Sequence, residues 1–274
     1  MIVTLNGYHL NDGTTGAWLD TEVKGLELPT IRTSAGNYAG RDGGYLGSQF
    51  FSARDITLQG TVFSSNVAIL EQTRQNLQAA LVSQSVTMGI TTNAGNSYTI
   101  NCYLLDFQMP IKKNVFSAPF KIELLATDPT IYENNSYSLP ADLAPVSNSG
   151  FVLPVTFPID FPAASTPTTV TNNGNVAVYP IITLSGVMHN PVITNTTLEQ
   201  LMGVSLTTAQ TDQLVINFAQ RTILLNGSSV FGDMTAGSTW WQLQPGENAI
   251  TLTTSSGGDT VTGTIQWQSG YMGI

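Results

Sequence analysis

Apolar side chains recur at every second position in one stretch of this chain after another, and at helical spacing in only one. Ile56, Leu58 and Val62 share one face of an extended segment. Phe120, Ile122, Leu124 and Ala126 share one face of another, with Lys121 and Glu123 pointing away. Near the end, Val261, Gly263, Ile265 and Trp267 alternate with threonine and glutamine. A period of two specifies strands with one buried face, and strands of this kind must pair into sheets. Helical spacing is confined to 66–84, where Leu70, Thr73, Leu77 and Leu81 fall on one side and Glu71, Arg74, Gln75 and Gln78 on the other. Ser64, Ser65 or Asn66 can cap its start. The expected class is mainly β, with a single helix in the first half.

A chain of 274 residues accommodates two domains of about 135 each, each able to bury its own core. Residues 35–48 are too rich in glycine for a regular buried element and predict a loop or a long open hairpin. Asp128-Pro129 ends the strand 120–126. The stretch 134–171 then carries prolines at 140, 145, 154, 158, 162 and 167, too many for a central strand. It is expected to be an extended linker with a short edge strand over 152–157, which places one domain at 1–133 and linker plus second domain at 134–274. Asn226-Gly227 and Gly257-Gly258-Asp259 are turn signals in the second half, where strands follow at short spacing without helices and predict a β-sandwich.

Charged residues make up only 10% of the chain, against roughly 25% in ordinary soluble domains. The polar surface is therefore built from Thr, Ser, Asn and Gln, which suits strands and particles assembled permanently from many copies. The formal charge is −9, and Arg221 is the only basic residue after Lys121. Such a balance excludes gripping a phosphate backbone, though DNA could pass without sticking. No apolar run approaches the roughly 18 residues that span a bilayer, and residues 1–7 show no secretory signal, so a protein made in a cytoplasm without membrane insertion is expected. Cys102 is the only cysteine; it allows no intrachain disulfide and fits a small buried hydrophobe.

Reactive constellations are missing. His9 and His189 stand apart and outside any metal-ligand spacing. No Gly-x-Ser-x-Gly elbow occurs, and the glycine loop at 36–47 lacks a Gly-Lys-Ser/Thr ending and precedes a strand. Asp20 with Glu22, placed on one strand face by alternation, and Asp42 with Asp55 are the carboxylate pairs that a glycosidase could use, but eighteen scattered acids produce such neighbours by chance, and solvated side chains or turn caps are the better account of them. Trp240 and Trp241 could stack on a sugar, but adjacent strand residues point to opposite faces, which sends at least one into the core. No catalytic, cofactor-binding or metal-binding residue is assigned.

An ordered set of motifs carries more information. G-R-D-G-G-Y-L-G (40–47), F-S-A-R-D-I-T-L-Q-G-T-V-F (51–63), the single helix and F-K-I-E-L-L-A-T-D-P-T-I-Y (120–132) occupy the first half. N-N-G-N (172–175), V-Y-P-I-I-T-L-S-G (178–186), N-P-V-I-T-N-T-T (190–197), Q-L-V-I-N-F-A-Q-R-T-I-L-L-N-G (213–227) and W-W-Q-L-Q-P-G-E-N-A-I (240–250) follow in the second. Taken in order, they resemble the siphophage distal tail protein family. The resemblance implies a tail-tube-like β-sandwich or split barrel with one helix that closes into a hexameric ring, followed by a galectin-like β-sandwich. It implies no enzyme and no cofactor. It implies an adaptor whose partners are further copies of itself, the tail tube protein, the tail-tip hub protein and a receptor-binding or side-fibre protein, with DNA only as passing cargo. The location implied is the tail tip of a virion assembled in a host bacterial cytoplasm.

Within such a ring, the glycine-rich segment is the candidate contact with the next copy, carried by Asn37, Tyr38, Arg41, Gly43, Gly44 and Tyr45; an ordinary surface loop is the plain alternative. A carbohydrate-binding β-sandwich using Trp240 and Trp241 is the competing function, and a bare tail-tube subunit would not need the second half.

Overall fold

The computed structural model describes residues 1–83, 85–110, 116–141, 146–147, 167–256 and 259–274. The edge strand expected over 152–157, most of the proline-rich stretch and the Gly257-Gly258 turn lie outside the described residues. The chain forms two compact units: Met1–Asn134 with Tyr271–Ile274, and Asn135–Gly270. Residues 271–274, grouped with the second half on sequence grounds, pack in the first unit.

The first unit contains β1 (Ile2–Leu5), β2 (Tyr8–Leu10), β3 (Ala17–Leu19), β4 (Ile31–Asn37), β5 (Gly44–Phe51), β6 (Arg54–Phe63), α1 (Val67–Leu81), β7 (Ser85–Thr91), β8 (Ser97–Gln108), β9 (Ser117–Ala126) and the start of β10 (Ile131–Ala141). Antiparallel pairing runs in the order β3-β6-β9-β8-β7-β1-β2. The two outer strands of this sheet meet: Asn11 N–H donates to Ala17 O at 3.0 Å, and Leu19 N–H donates to Asn11 Oδ1 at 2.7 Å. The sheet thus curls almost onto itself, which leaves few unpaired edges.

The inward residues are those the alternation specified. Ile56, Leu58 and Val62 on β6 and Phe120, Ile122, Leu124 and Ala126 on β9 are buried, while Lys121 and Glu123 pair outside. Helix α1 begins at an Asn66 cap whose Oδ1 accepts from Ile69 N–H at 2.9 Å, and it buries Leu70, Thr73, Leu77 and Leu81 against the core. Cys102 is buried on β8, and burial pushes its thiol up to about 12.

The second unit holds β11 (Val146–Ser147), β12 (Thr168–Asn172), β13 (Ile181–Val187), β14 (Val192–Asn195), β15 (Gln200–Gly203), β16 (Gln213–Asn217), β17 (Thr222–Leu225), β18 (Ser228–Ser229), β19 (Gly246–Thr254) and β20 (Thr260–Tyr271). One sheet runs β18-β17-β16-β13-β20. The other runs β15-β14-β19, with β12 antiparallel and β11 parallel along the far side of β19. Ile182, Leu184, Leu214 and Ile216 from one sheet and Ile193, Met202, Ile250 and Leu252 from the other are fully or almost fully buried, the arrangement of a sandwich. Asn226-Gly227 makes the expected tight turn, both residues at positive φ, between β17 and β18. The edge of β15 is covered: Thr235 N–H donates to Gly203 O at 3.0 Å and Thr239 N–H to Leu201 O at 2.8 Å.

Candidate interaction site

The hairpin β4–β5 departs from everything else in the first unit. Its two strands pair only with one another among the described residues, and nearly every residue is exposed. Ile31 stands opposite Phe51 and Ala35 opposite Leu46, with a register shift between Thr33 and Ala35. Tyr45 and Leu46 are neighbours and so face opposite ways, as do Phe50 and Phe51. Each face therefore carries large apolar side chains, and Leu46 and Phe50 are 62% and 61% exposed. A lone two-stranded ribbon is at best marginally stable, and apolar groups on both sides find nothing among the described residues to cover them.

The tip brings together the six residues selected from sequence. Tyr38 N–H donates to Gly43 O at 3.1 Å, closing the turn. The Arg41 guanidinium lies 3.8 Å from the centre of the Tyr38 ring, and Tyr38 and Tyr45 sit 6.0 Å apart. Asn37 pairs with Gly44 across the ribbon. The Tyr45 ring lies across Gly36, where a Cβ would come within 2.6 Å of it. What the sequence did not reveal is how far the surface extends, since Ile31, Leu46, Phe50 and Phe51 lie on the arms beyond the glycines. The run Y-L-G-S-Q-F-F was the available signal, hidden because the glycines before and within it read as loop.

Two polar devices hold the base of this ribbon. Ser52 N–H donates to Thr30 O at 2.8 Å. Arg54, 2% exposed, spends all five of its N–H groups on main-chain carbonyls: Nε and Nη2 on Pro129 at 3.0 and 2.8 Å, Nη1 on Gly25 at 2.6 Å and on Glu27, and Nη2 on Met272 at 2.8 Å. Gly25 has φ +92, and a Cβ there would fall 2.0 Å from Asp55 O, so only glycine lets this segment approach β6. The Asp-Pro-x-x-Tyr motif supplies the Pro129 acceptor and is itself fastened by Tyr132 Oη–H to Asp128 Oδ2 at 2.8 Å and Thr130 N–H to Asp128 Oδ1 at 3.0 Å.

The other sequence candidates separate. Trp241 is buried against Phe218, with ring centres 4.3 Å apart. Trp240 is half-buried, stacks at 6.3 Å on the exposed Phe231 and meets Phe218 edge to face. Asp20 and Glu22 do not share a strand face, because β3 ends at Leu19; Asp20 accepts from Thr61 Oγ1 at 2.6 Å and Glu22 is exposed. Asp42 lies in the hairpin turn and Asp55 is exposed on β6. His9 pairs with Asp12 at 2.8 Å, and His189 Nδ1 pairs with Asp259 Oδ1 at 2.6 Å. Among the described residues no cluster of three or more His, Cys, Asp or Glu is placed to hold a metal ion, and no helix is long and apolar enough to cross a membrane. A groove of about 620 Å³ on the first unit is lined by Thr4, Asn6, Thr87, Thr91, Ser97 and their neighbours, without an acid, base or thiol.

Residues 173–271 match the siphovirus-type tail component family, in its C-terminal domain. The match spans that segment alone. The tail component domain coincides with most of the second unit, from the end of β12 to the end of β20. Over the whole chain, the fold is similar to the crystal structure of the SPP1 Dit (gp 19.1) protein, presented as a paradigm of hub adsorption apparatus in Gram-positive infecting phages: TM-score 0.70, 17% identity, 97% of this chain and 98% of that one. Chains of the phage p2 baseplate in its activated conformation are also similar, with TM-scores of 0.51 with Ca and 0.52 with Sr at 12% identity; the first comparison covers 92% of this chain and 90% of that one, the second 97% of each. No curated protein matches the sequence. The siphophage distal tail resemblance is thus supported by sequence in the second unit and by fold throughout.

Proposed function

We propose that copies of this chain close head to tail into a hexameric ring, that each copy reaches its neighbour through the β4–β5 hairpin, and that the ring joins a tail tube to the tail-tip hub. The observation that carries the reading is a projecting ribbon with apolar side chains on both faces and both outer edges unpaired among the described residues. Unpaired edges recruit strands, and a neighbouring copy offers identical chemistry with a fixed rotation, which closes a ring when that rotation fits. Asn37, Tyr38, Arg41, Gly43, Gly44 and Tyr45 form the tip of the contact, and Ile31, Leu46, Phe50 and Phe51 its arms. The second unit, a galectin-like sandwich in this reading, sits in the assembled tail as the support for receptor-binding or side-fibre proteins, and the lumen passes DNA. A chain with so few basic residues suits a channel that must not retain a polyanion.

Mass measurement and negative-stain imaging of the purified chain, alone and mixed with its tail neighbours, test the proposal. The expected result is a sixfold ring that Leu46→Asp with Phe50→Asp reduces to single copies of unchanged melting temperature. A chain that stays single under all these conditions disproves it.

One observation favours a second reading, carbohydrate binding: Trp240 and Phe231 form a partly exposed aromatic pair on the second unit. A glycan array probed with the full chain decides it, since binding must appear and must fall with Trp240→Ala. Trp241 lies in the core and takes no part.

A further inference from the structure

The segment Tyr271–Ile274 packs beside the residues that launch the hairpin. Ile274 N–H donates to Leu26 O at 3.1 Å, and Met272 O accepts from Arg54 Nη2. Gly273 lies so close to this run that a Cβ on it would sit 3.2 Å from Glu27 C and 3.3 Å from Leu28 N. Tyr271 meets Tyr98 of β8 edge to face, with ring centres 5.4 Å apart. On its other side the same run is pinned to β6 by Lys24 and Thr57, which exchange hydrogen bonds of 3.2 and 3.1 Å. Residues 24–28 are therefore clasped between β6 and the 271–274 segment, with Arg54 reaching through to both. β4 starts at Ile31, three residues beyond Leu28.

We infer that residues 271–274 are a strap which, held by Arg54, fixes the base of the β4–β5 hairpin and so sets how firmly the hairpin is presented. The physical reason is that an isolated ribbon has no core of its own, so its order is set by the anchorage at its base. The strap supplies a hydrogen bond to Leu26, van der Waals contact along 27–28 and one of the four carbonyls that hold the guanidinium. With the strap gone, Arg54 Nη2 keeps only Pro129, and one side of 24–28 opens to water. The bearing of the strap on assembly rests on the ring reading; its effect on the hairpin does not.

Hydrogen exchange of the full chain, followed by mass spectrometry, tests it against two variants: one lacking residues 272–274, and Gly273→Val, which wedges a side chain between strap and clasped run. Amides in 24–37 and 44–57 should exchange about tenfold faster in both, the factor expected when a hydrogen bond of a charged donor is lost. Rates in β1 and β7 of the first unit and in β13 and β16 of the second should not change, which confirms that the variants are folded. If a variant does not fold, Arg54→Lys replaces it, with the same peptides expected to lose protection because an ammonium cannot reach four carbonyls. Wild-type exchange rates in 24–37 and 44–57 with the strap removed or wedged away overturn the inference. Native mass, measured on the same samples, separates the two proposals: a wild-type chain that forms no ring removes the ring reading and leaves the strap, and intact rings with unchanged exchange do the reverse.

Discussion

Arg54 Nη2 donates to the carbonyl oxygen of Met272 at 2.8 Å, across 218 positions of sequence. The guanidinium is buried without a carboxylate in hydrogen-bonding reach of it among the described residues, and carbonyl dipoles from three separate stretches solvate its charge instead. Burial lowers its pKa from the ordinary arginine value, and the nearby Glu27 charge works in the opposite direction. Removing the side chain leaves several carbonyls without a donor. Arg54→Met should therefore cost the first unit about 3 kcal/mol, read as a shift in urea midpoint, because each unmet buried acceptor costs about 1–3 kcal/mol. Arg54→Lys should recover only part of it, since three donors on a point charge do not reproduce a planar fork.

The Asp259 carboxylate links the stability of the second unit to pH. Its side chain is fully buried, which by itself raises its pKa. Hydrogen bonds from the His189 ring and main-chain N–H and from Thr254 outweigh that, and the net shift is downward from 3.8. A depressed acid stabilises the fold fully above its unfolded pKa, and the contribution is lost as pH falls through the folded value. Thermal melting should thus be flat from pH 7 down to about 5, then fall below about 4. In Asp259→Asn the melting temperature should be lower at pH 7 and its acid decline shallower; parallel wild-type and variant curves would refute the assignment.

Cys102 should be chemically silent in the folded chain. Its thiol is pushed up to about 12 by burial, a shift that the Arg54 charge only reduces. Thiol reagents act on the thiolate, so a maleimide or an aromatic disulfide at pH 8 should leave the native protein unlabelled and react with one thiol per chain in denaturant. Rapid labelling of the native chain would mean that the first unit opens around β8.

The two adjacent tryptophans should part company on mutation. Trp241→Ala empties a core site against Phe218 and should destabilise by about 3–5 kcal/mol. Trp241 Nε1 has no hydrogen-bond partner among the described residues, so Trp241→Phe should cost less than about 1.5 kcal/mol. Trp240→Ala removes a half-buried ring and should cost distinctly less than Trp241→Ala. Calorimetric melting of the three variants checks the order.

The sequence by itself determined which residues turn inward. The alternation on β6, β9 and β20, the 3.6-residue spacing of Leu70, Thr73, Leu77 and Leu81, and the Asn226-Gly227 turn are all local properties, decided by the backbone period within a few residues. The glycines of 36–47 marked the ribbon tip for the same reason. Tertiary structure alone decided what depends on register and distance. Alternation required one of Trp240 and Trp241 to be buried, and only the packing of Phe218 chose Trp241. Nothing near Ile31 or Phe50 in sequence states that no other strand among the described residues covers them, because cover comes from strands far along the chain. The partners of Arg54 were the least legible, since main-chain carbonyls carry no residue identity: any sequence offers them, and only the folded path brings those of Gly25, Glu27, Pro129 and Met272 to one guanidinium.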